Sequence, residues 1–293
     1  MGNRRAAVPS AFSTCHASVP AVLFAGIVAL SMLAAQPVIA VLSLFGALAF
    51  SLLARGARAT GRGLTWQLPL LALVCLANPL FSASGSTLLL QLGPVAVYAE
   101  SLAYGAMMGA LMVAAVVWLE DAASVLTQDR LLSLMGGRAR SVPLVVSIAS
   151  QLVPQLLGRA EAVRVTQVAC TASGTRPDRR AGLVRASTQL MSWALEDSVG
   201  RADAMRARGW ESGRPRTRYR PDRLRGSDVT ALFALGALLA ACALLAWVAC
   251  SQWRFYPTMP RLVAWWGYAP IAVLCALPAL AELAGRARER GLA

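Results

Sequence analysis

The sequence contains six apolar runs of the length that crosses a lipid bilayer. They occupy residues 19–35, 38–53, 66–81, 98–119, 229–250 and 262–283. A membrane-spanning helix needs about 20 predominantly apolar residues, and inside the hydrocarbon only helices and closed barrels satisfy their backbone polar groups. The runs therefore predict an all-α, polytopic membrane protein with about six transmembrane helices. They argue against a soluble globular enzyme.

The charged residues are few, but they are strongly basic. They make up 14% of the 293 residues, and the 28 basic side chains, all arginine, exceed the 14 acidic ones to give a net charge of +14. Between Arg138 and Arg225 lie 17 arginines and seven acidic residues, so that one segment carries +10. In a soluble protein such a charge would suggest nucleic acid as a partner. In a membrane protein it first reports topology, because arginines accumulate on the cytoplasmic side.

The charge pattern gives one consistent orientation. The basic segments are the N-terminus, residues 55–62, residues 138–225 and the tail from Arg286, whereas residues 82–97 carry no charge. Six spans place every strongly basic segment in the cytoplasm, together with both termini. The predicted organisation is a cytoplasmic N-terminus at 1–18, a four-helix membrane region at 19–119, a cytoplasmic or interfacial domain at 120–228, two membrane helices at 229–284 and a basic tail at 285–293.

Two further features describe the membrane region. Gln36-Pro37 predicts a tight turn between the first two runs, with the proline at the start of the second helix. The fourth run begins with Glu100 and is rich in small residues that let membrane helices approach closely. These small residues are Gly105, Ala106, Gly109 and Ala110.

The 120–228 segment is too long and too patterned to be a simple loop. A first amphipathic helix is predicted over 141–168, with an apolar stripe of Leu144, Ile148, Leu152, Leu156 and Val163. Pro154 is expected to kink or interrupt it. A second helix is predicted over 182–209, with an apolar stripe of Met191, Leu195, Val199, Ala202 and Met205. Asp197 and Arg201 form an i,i+4 pair on this helix.

The end of the second helix is the most specific local signal. Gly209 is placed to close the helix in a left-handed cap, which puts Arg208 in the last turn at an exposed tip. Helical spacing leaves two interpretations of this domain open. It is either a basic surface that touches anionic lipid or a pair of helices that offers arginines to a groove on a cytoplasmic partner.

The residues around this tip resemble a family signature. The run Trp-Ala-Leu-Glu-Asp-Ser-Val-Gly-Arg-Ala-Asp-Ala-Met-Arg-Ala-Arg-Gly-Trp over 193–210 is similar to that of the transmembrane T components of energy-coupling-factor (ECF) transporters, the CbiQ/EcfT family. The resemblance implies that Ala207, Arg208 and Gly209 dock into an ABC-type ATPase. It assigns supporting roles on the coupling helix to Glu196, Asp197, Arg201, Asp203 and Met205.

Similar stretches extend over roughly residues 16–225. They include 100–105, 129–136, 143–154 and the Arg-Thr-x-Tyr strap at 216–219. One departure concerns the first of the family's two Ala-Arg-Gly motifs, which closes the earlier coupling helix. In its place stand two triplets without arginine, formed by Ala169, Cys170, Thr171, Ala172, Ser173 and Gly174. The first docking motif is therefore degenerate.

The resemblance implies a non-catalytic coupling subunit of an importer for a vitamin or a transition metal such as cobalt or nickel, in a prokaryotic plasma membrane. The implied partners are two ABC-type ATPases and a membrane substrate-binding S subunit, and nucleic acid is not among them. The chain has no lysine and therefore no Gly-x-x-x-x-Gly-Lys loop, so ATP is expected to bind the partners, with no cofactor bound directly.

Two alternatives without a transport role remain open. One is a membrane scaffold that binds lipid. The other is a membrane-embedded enzyme acting on lipid, which would need acidic or histidine side chains around one cavity. Its candidates are Glu100, Glu282 and His16, with Asn78 as a polar helper, but they are scattered along the chain. No metal site is predicted, because the six cysteines form no Cys-x-x-Cys pair and there is one histidine.

Overall fold

The structure is a computed structural model that describes Phe12, residues 15–81, 87–92, 95–135, 141–170, 179–210, Ser212, residues 224–251 and 265–291. These residues form helices α1 (Ser18–Leu33), α2 (Pro37–Ala54), α3 (Ala57–Phe81), α4 (Ala99–Val125), α5 (Gln128–Met135), α6 (Ser141–Cys170), α7 (Arg179–Ala207), α8 (Gly226–Ser251) and α9 (Ala269–Gly291). The predicted all-α, polytopic class is confirmed.

Six helical segments in the described residues are long and apolar enough to cross a membrane, but they are not quite the six predicted. They are Pro37–Ala54, Ala57–Leu80, Ala99–Val125, Val142–Cys170, Gly226–Ser251 and Trp266–Arg288. α1 falls short because its 16 residues rise only about 24 Å, less than the roughly 30 Å of hydrocarbon. α6 has the required length and composition instead, although it lies in the predicted coupling domain.

The uncharged segment that the sequence predicted as a loop contains a short antiparallel ribbon. Its strands are β1 (Leu88–Leu92) and β2 (Val95–Tyr98), and Leu92 pairs with Val95. Gly93-Pro94 separates two runs of leucine and valine, which is a turn signal between β-forming residues. The ribbon leads directly into α4.

The chain divides into two compact units. The first comprises Met1–Leu134 and Asp222–Ala293, and the second comprises Met135–Pro221. The second unit lies inside the predicted 120–228 domain but is smaller, because α4 up to Val125 and all of α5 except Met135 belong to the first unit. In the first unit α4 packs against α1, α2 and α3, while α9 packs against α2.

An aromatic cluster forms the centre of the membrane bundle. The Phe24 and Phe50 ring centroids are 5.5 Å apart, and Trp118 stacks on Phe50 at 6.4 Å. The Trp118 indole N–H donates a hydrogen bond to the Ser43 hydroxyl at 3.1 Å. Burying the ring costs little because its polar atom has a partner. The cluster joins α1, α2 and α4.

Small residues of α4 allow α3 to approach its backbone closely, as predicted. A Cβ at Gly105 would lie 2.9 Å from the Cys75 carbonyl oxygen, and one at Gly109 would lie 3.2 Å from the Leu71 carbonyl oxygen. The Asn78 amide donates to the Ser101 carbonyl at 2.6 Å along the same contact. α3 and α4 therefore form a tight antiparallel pair.

Candidate coupling site

The second unit is built around an antiparallel hairpin of α6 and α7. The Arg159 guanidinium lies over the Trp193 ring, 3.6 Å from its centroid, and the Arg201 guanidinium donates to the Gln155 side-chain oxygen. Farther along, Gly182 of α7 faces the side-chain oxygen of Gln167. Residue numbers rise on one helix as they fall on the other, which establishes the antiparallel direction.

The α6 stripe behaves as the sequence predicts. Its half-buried residues include Leu144, Ile148, Leu152, Leu156 and Val163. The helix is continuous from Ser141 to Cys170, so Pro154 does not interrupt it. A proline inside a helix removes one backbone hydrogen bond without necessarily ending the helix.

The α7 stripe differs from a simple core-facing surface. Met191, Leu195 and Val199 are 69%, 64% and 63% exposed. Ala202 is also exposed, and only Met205 of this set is half-buried. The half-buried face of α7 is instead formed by Leu190, Trp193, Ala194, Asp197, Arg201 and Met205. α7 therefore presents most of its apolar stripe outward.

The Asp197–Arg201 pair exists, and it lies at the interface between the helices. Arg201 Nε donates to the Asp197 carboxylate, and its second nitrogen reaches Gln155 of α6. The pair therefore orients a side chain that ties the two helices together. Glu196 and Asp203, the other acidic residues of the predicted supporting set, are exposed.

The tip of α7 closes as the sequence predicts. α7 ends at Ala207, and Gly209 has a positive φ of 78°. The Gly209 amide donates to the Arg206 carbonyl at 2.9 Å, and the Trp210 amide donates to the Met205 carbonyl at 3.0 Å. This pair of bonds is a Schellman motif, in which glycine avoids the steric cost of the left-handed conformation.

Arg208 occupies the last position before this reversal. Its amide still donates to the Ala204 carbonyl at 3.2 Å, so its backbone is held by the helix. Its side chain is exposed. A rigid backbone carrying an exposed guanidinium can offer a planar fork of donors to carboxylates or carbonyl oxygens of another protein.

The degenerate first motif is only partly described. Ala169 and Cys170 form the exposed end of α6, and Cys170 is a free thiol. The other four residues, Thr171, Ala172, Ser173 and Gly174, lie outside the described residues. Because the hairpin is antiparallel, Cys170 lies near the start of α7. It is separated from Arg208 by about 40 Å of helix at 1.5 Å per residue.

No family model matches the chain. It is similar, however, to the "Energy-coupling factor transporter transmembrane protein EcfT" of Listeria innocua. The two are 29% identical over 184 residues, which cover 57% of this chain and 68% of the Listeria protein. The chain is related to the ECF T components. The α6–α7 hairpin is the part of the chain that carries the residues similar to the family signature.

The candidate residues for a lipid-acting enzyme do not meet in one site. The Glu100 carboxylate accepts bonds from Thr87, near Asn78. Glu282 pairs with Arg286, whose guanidinium donates to the Leu53 carbonyl where α2 ends. The two groups therefore lie at opposite ends of the bundle. His16 instead contacts Ser18 at 2.7 Å.

Sequence reasoning missed a charged cluster that joins α2, α3 and α4. The Arg55 guanidinium lies 2.5 Å from Glu120 and 3.6 Å from Asp121, and the Gln67 amide donates to Glu120 at 3.2 Å. Asp121 is fully buried. Arg55 lies in a segment that the sequence shows only as a basic loop. The acidic pair at the end of the fourth run was the available signal for its partner.

Proposed function

We propose that this chain is the T subunit of an ECF-type importer and that the α6–α7 hairpin transmits the motion of cytoplasmic ATPases to a membrane S subunit. The similarity to the Listeria protein supports the transporter class. The coupling role is supported by the position of Arg208. Its backbone is held by the last turn of α7, and its side chain is exposed immediately before the chain reverses at Gly209.

The geometry of the hairpin fits two ATPase contacts. Its two candidate docking points, the end of α6 at Cys170 and the tip of α7 at Arg208, are far apart on one antiparallel pair. Each point would contact one of two ATPase subunits. Arginine stands at only the second point, so the ATPase that contacts Cys170 would be held more weakly.

The remaining parts of the proposal concern topology and cargo. The positive-inside rule favours a cytoplasmic location for both termini and the hairpin. The protein would lie in the plasma membrane of a prokaryotic cell. ATP would be bound and hydrolysed by the partner subunits, with no cofactor bound by this chain. The cargo would be a vitamin or a transition-metal ion selected by the S subunit.

The test is the Arg208→Glu variant in the assembled transporter. We expect normal membrane insertion together with loss of ATPase co-purification and transport, because a reversed charge repels the carboxylates or carbonyl oxygens that arginine contacts. Arg185→Glu is the matched control, since Arg185 is an exposed arginine of the same helix about 23 residues from the tip. Normal ATPase binding and transport by Arg208→Glu would overturn the docking role.

A further inference from the structure

The first two turns of α3 carry a pair of exposed arginines. Arg58 and Arg62 are both exposed and lie four residues apart, so they project from the same face. Within the described part of the chain, neither has a carboxylate within ion-pair distance. Glu120, an acid that faces α3 at Gly63, is already bound by Arg55 and Gln67.

The position of these arginines opposes the helix dipole. The N-terminus of a helix carries a partial positive charge, which favours anions and disfavours cations. α3 has no acidic residue in its first turn and instead places Arg58 there and Arg62 in the next turn. The backbone and the two guanidinium groups therefore add their positive potentials on one exposed surface. That surface is electrostatically complementary to an anion.

The same face of α3 continues as an apolar column. Trp66 follows Arg62 by four residues, about 6 Å along the axis, and is 84% exposed. Farther along the same face, Leu73, Leu76 and Leu80 are also exposed. The opposite face is different: Gln67 is buried, and Gly105 and Gly109 of α4 pack against Cys75 and Leu71. The exposed face thus passes from guanidinium to indole to aliphatic side chains.

This order of chemical groups matches one phospholipid molecule. A phosphate would lie between the arginines, the indole would lie at the level of the headgroup and glycerol, and the acyl chains would run along the leucines. Tryptophan is enriched at that interfacial depth in membrane proteins, and arginines next to a span bind anionic headgroups. We propose that Arg58, Arg62 and Trp66 form a binding site for an anionic phospholipid headgroup.

The test compares the purified full-length chain in two kinds of nanodisc, phosphatidylcholine alone and phosphatidylcholine mixed with phosphatidylglycerol. Native mass spectrometry then measures how much phosphatidylglycerol the released protein retains. For Arg58→Gln/Arg62→Gln we expect the apparent affinity for phosphatidylglycerol to fall roughly 30-fold, at about 1 kcal/mol per arginine near a membrane surface. Inorganic phosphate at matched ionic strength is expected to leave the lipid bound.

The matched control is Arg185→Gln/Arg288→Gln, which removes two exposed arginines elsewhere. An equal loss in this control would overturn the site, because it would reduce the effect to net charge. Lack of phosphatidylglycerol retention by the wild-type chain would overturn it too. Unchanged phosphatidylglycerol retention by Arg58→Gln/Arg62→Gln would also overturn it.

A second measurement does not depend on the folding of any variant. Phosphatidylglycerol with a photoreactive headgroup is cross-linked to the wild-type chain, and the modified peptides are identified. We expect the cross-links to lie in the first turns of α3. An even distribution of cross-links over all basic segments would contradict the proposal. The result is independent of transport, since it requires neither ATPases nor an S subunit.

Discussion

The guanidinium carbon of Arg159 lies 3.6 Å from the centroid of the Trp193 ring, which makes this cation–π pair a direct link between α6 and α7. Trp193 is half-buried, so the pair is partly shielded from water. Such contacts contribute about 0.5–1 kcal/mol at exposed sites. The hairpin therefore has a specific stabilising contact near its middle, in addition to the Arg201–Gln155 hydrogen bond.

A double-mutant cycle measures the interaction free energy of the Arg159–Trp193 pair. We expect Arg159→Met and Trp193→Leu together to cost about 0.5–1 kcal/mol less than the sum of the single substitutions, because each single change already removes the pair. Hydrogen exchange of the α6 and α7 amides reports the opening free energy. Strict additivity would mean that the contact contributes nothing to hairpin stability.

Replacement of Gly209 by alanine is expected to loosen the tip. Alanine at a φ of 78° adopts the left-handed conformation at a cost of about 1 kcal/mol, so the Schellman bonds should open more often and Arg208 should lose its fixed position. The measurement is hydrogen exchange over 205–210, followed by ATPase co-purification.

The control for this substitution is Gly200→Ala in the same helix. Gly200 is exposed, and a Cβ there would meet nothing within 4 Å. Alanine should stabilise that helical position by about 0.5–1 kcal/mol. If Gly209→Ala behaved like Gly200→Ala, the cap would have no special role in holding Arg208.

Under the proposed function, Cys170→Arg is expected to strengthen ATPase binding at the exposed end of α6, because it places an arginine there. The measurement is the retention of each ATPase subunit as the salt concentration of the wash is raised. Cys170→Ser controls for loss of the thiol. No gain in retention by Cys170→Arg would count against the idea that the two ATPases are held unequally.

Gly105→Ala should weaken the α3–α4 contact, because its new Cβ would lie 2.9 Å from the Cys75 carbonyl oxygen. Overpacking of this kind costs about 1–3 kcal/mol. The apparent melting temperature of the purified chain should fall, whereas Gly236→Ala should not lower it, because nothing lies within 4 Å of that helical position. Equal melting temperatures would show that the helices can separate slightly without cost.

The features that sequence predicted well are local ones. The cap at Gly209 depends on bonds that span five residues, and the α6 stripe follows from helical period alone. The close approach at Gly105 was also visible, because only small side chains permit it. Helical spacing alone did not predict which face of α7 packs against α6. α7 has both an apolar stripe through Leu195 and a mixed stripe through Trp193 and Arg201, and the long-range partners Arg159 and Gln155 select the mixed one.

The choice of membrane spans and the β1–β2 ribbon also could not be predicted from local sequence patterns. Hydrophobicity marks both α1 and α6 as apolar, but it does not fix where each helix begins and ends. β1 and β2 exist through pairing with each other, which a charge-free segment of leucine and valine does not specify alone. The Arg55–Glu120 contact joins residues 65 positions apart, beyond the reach of any spacing rule.

The exposed apolar face of α7 has a consequence for the cellular abundance of the protein. A molecule made in excess of its partners would show Met191, Leu195 and Val199 to its surroundings as an uncovered apolar strip. Chaperones and proteases that survey newly made proteins act on such surfaces. Under the proposed function, we therefore expect the abundance of this chain to follow the supply of its partners, because molecules without partners would be degraded.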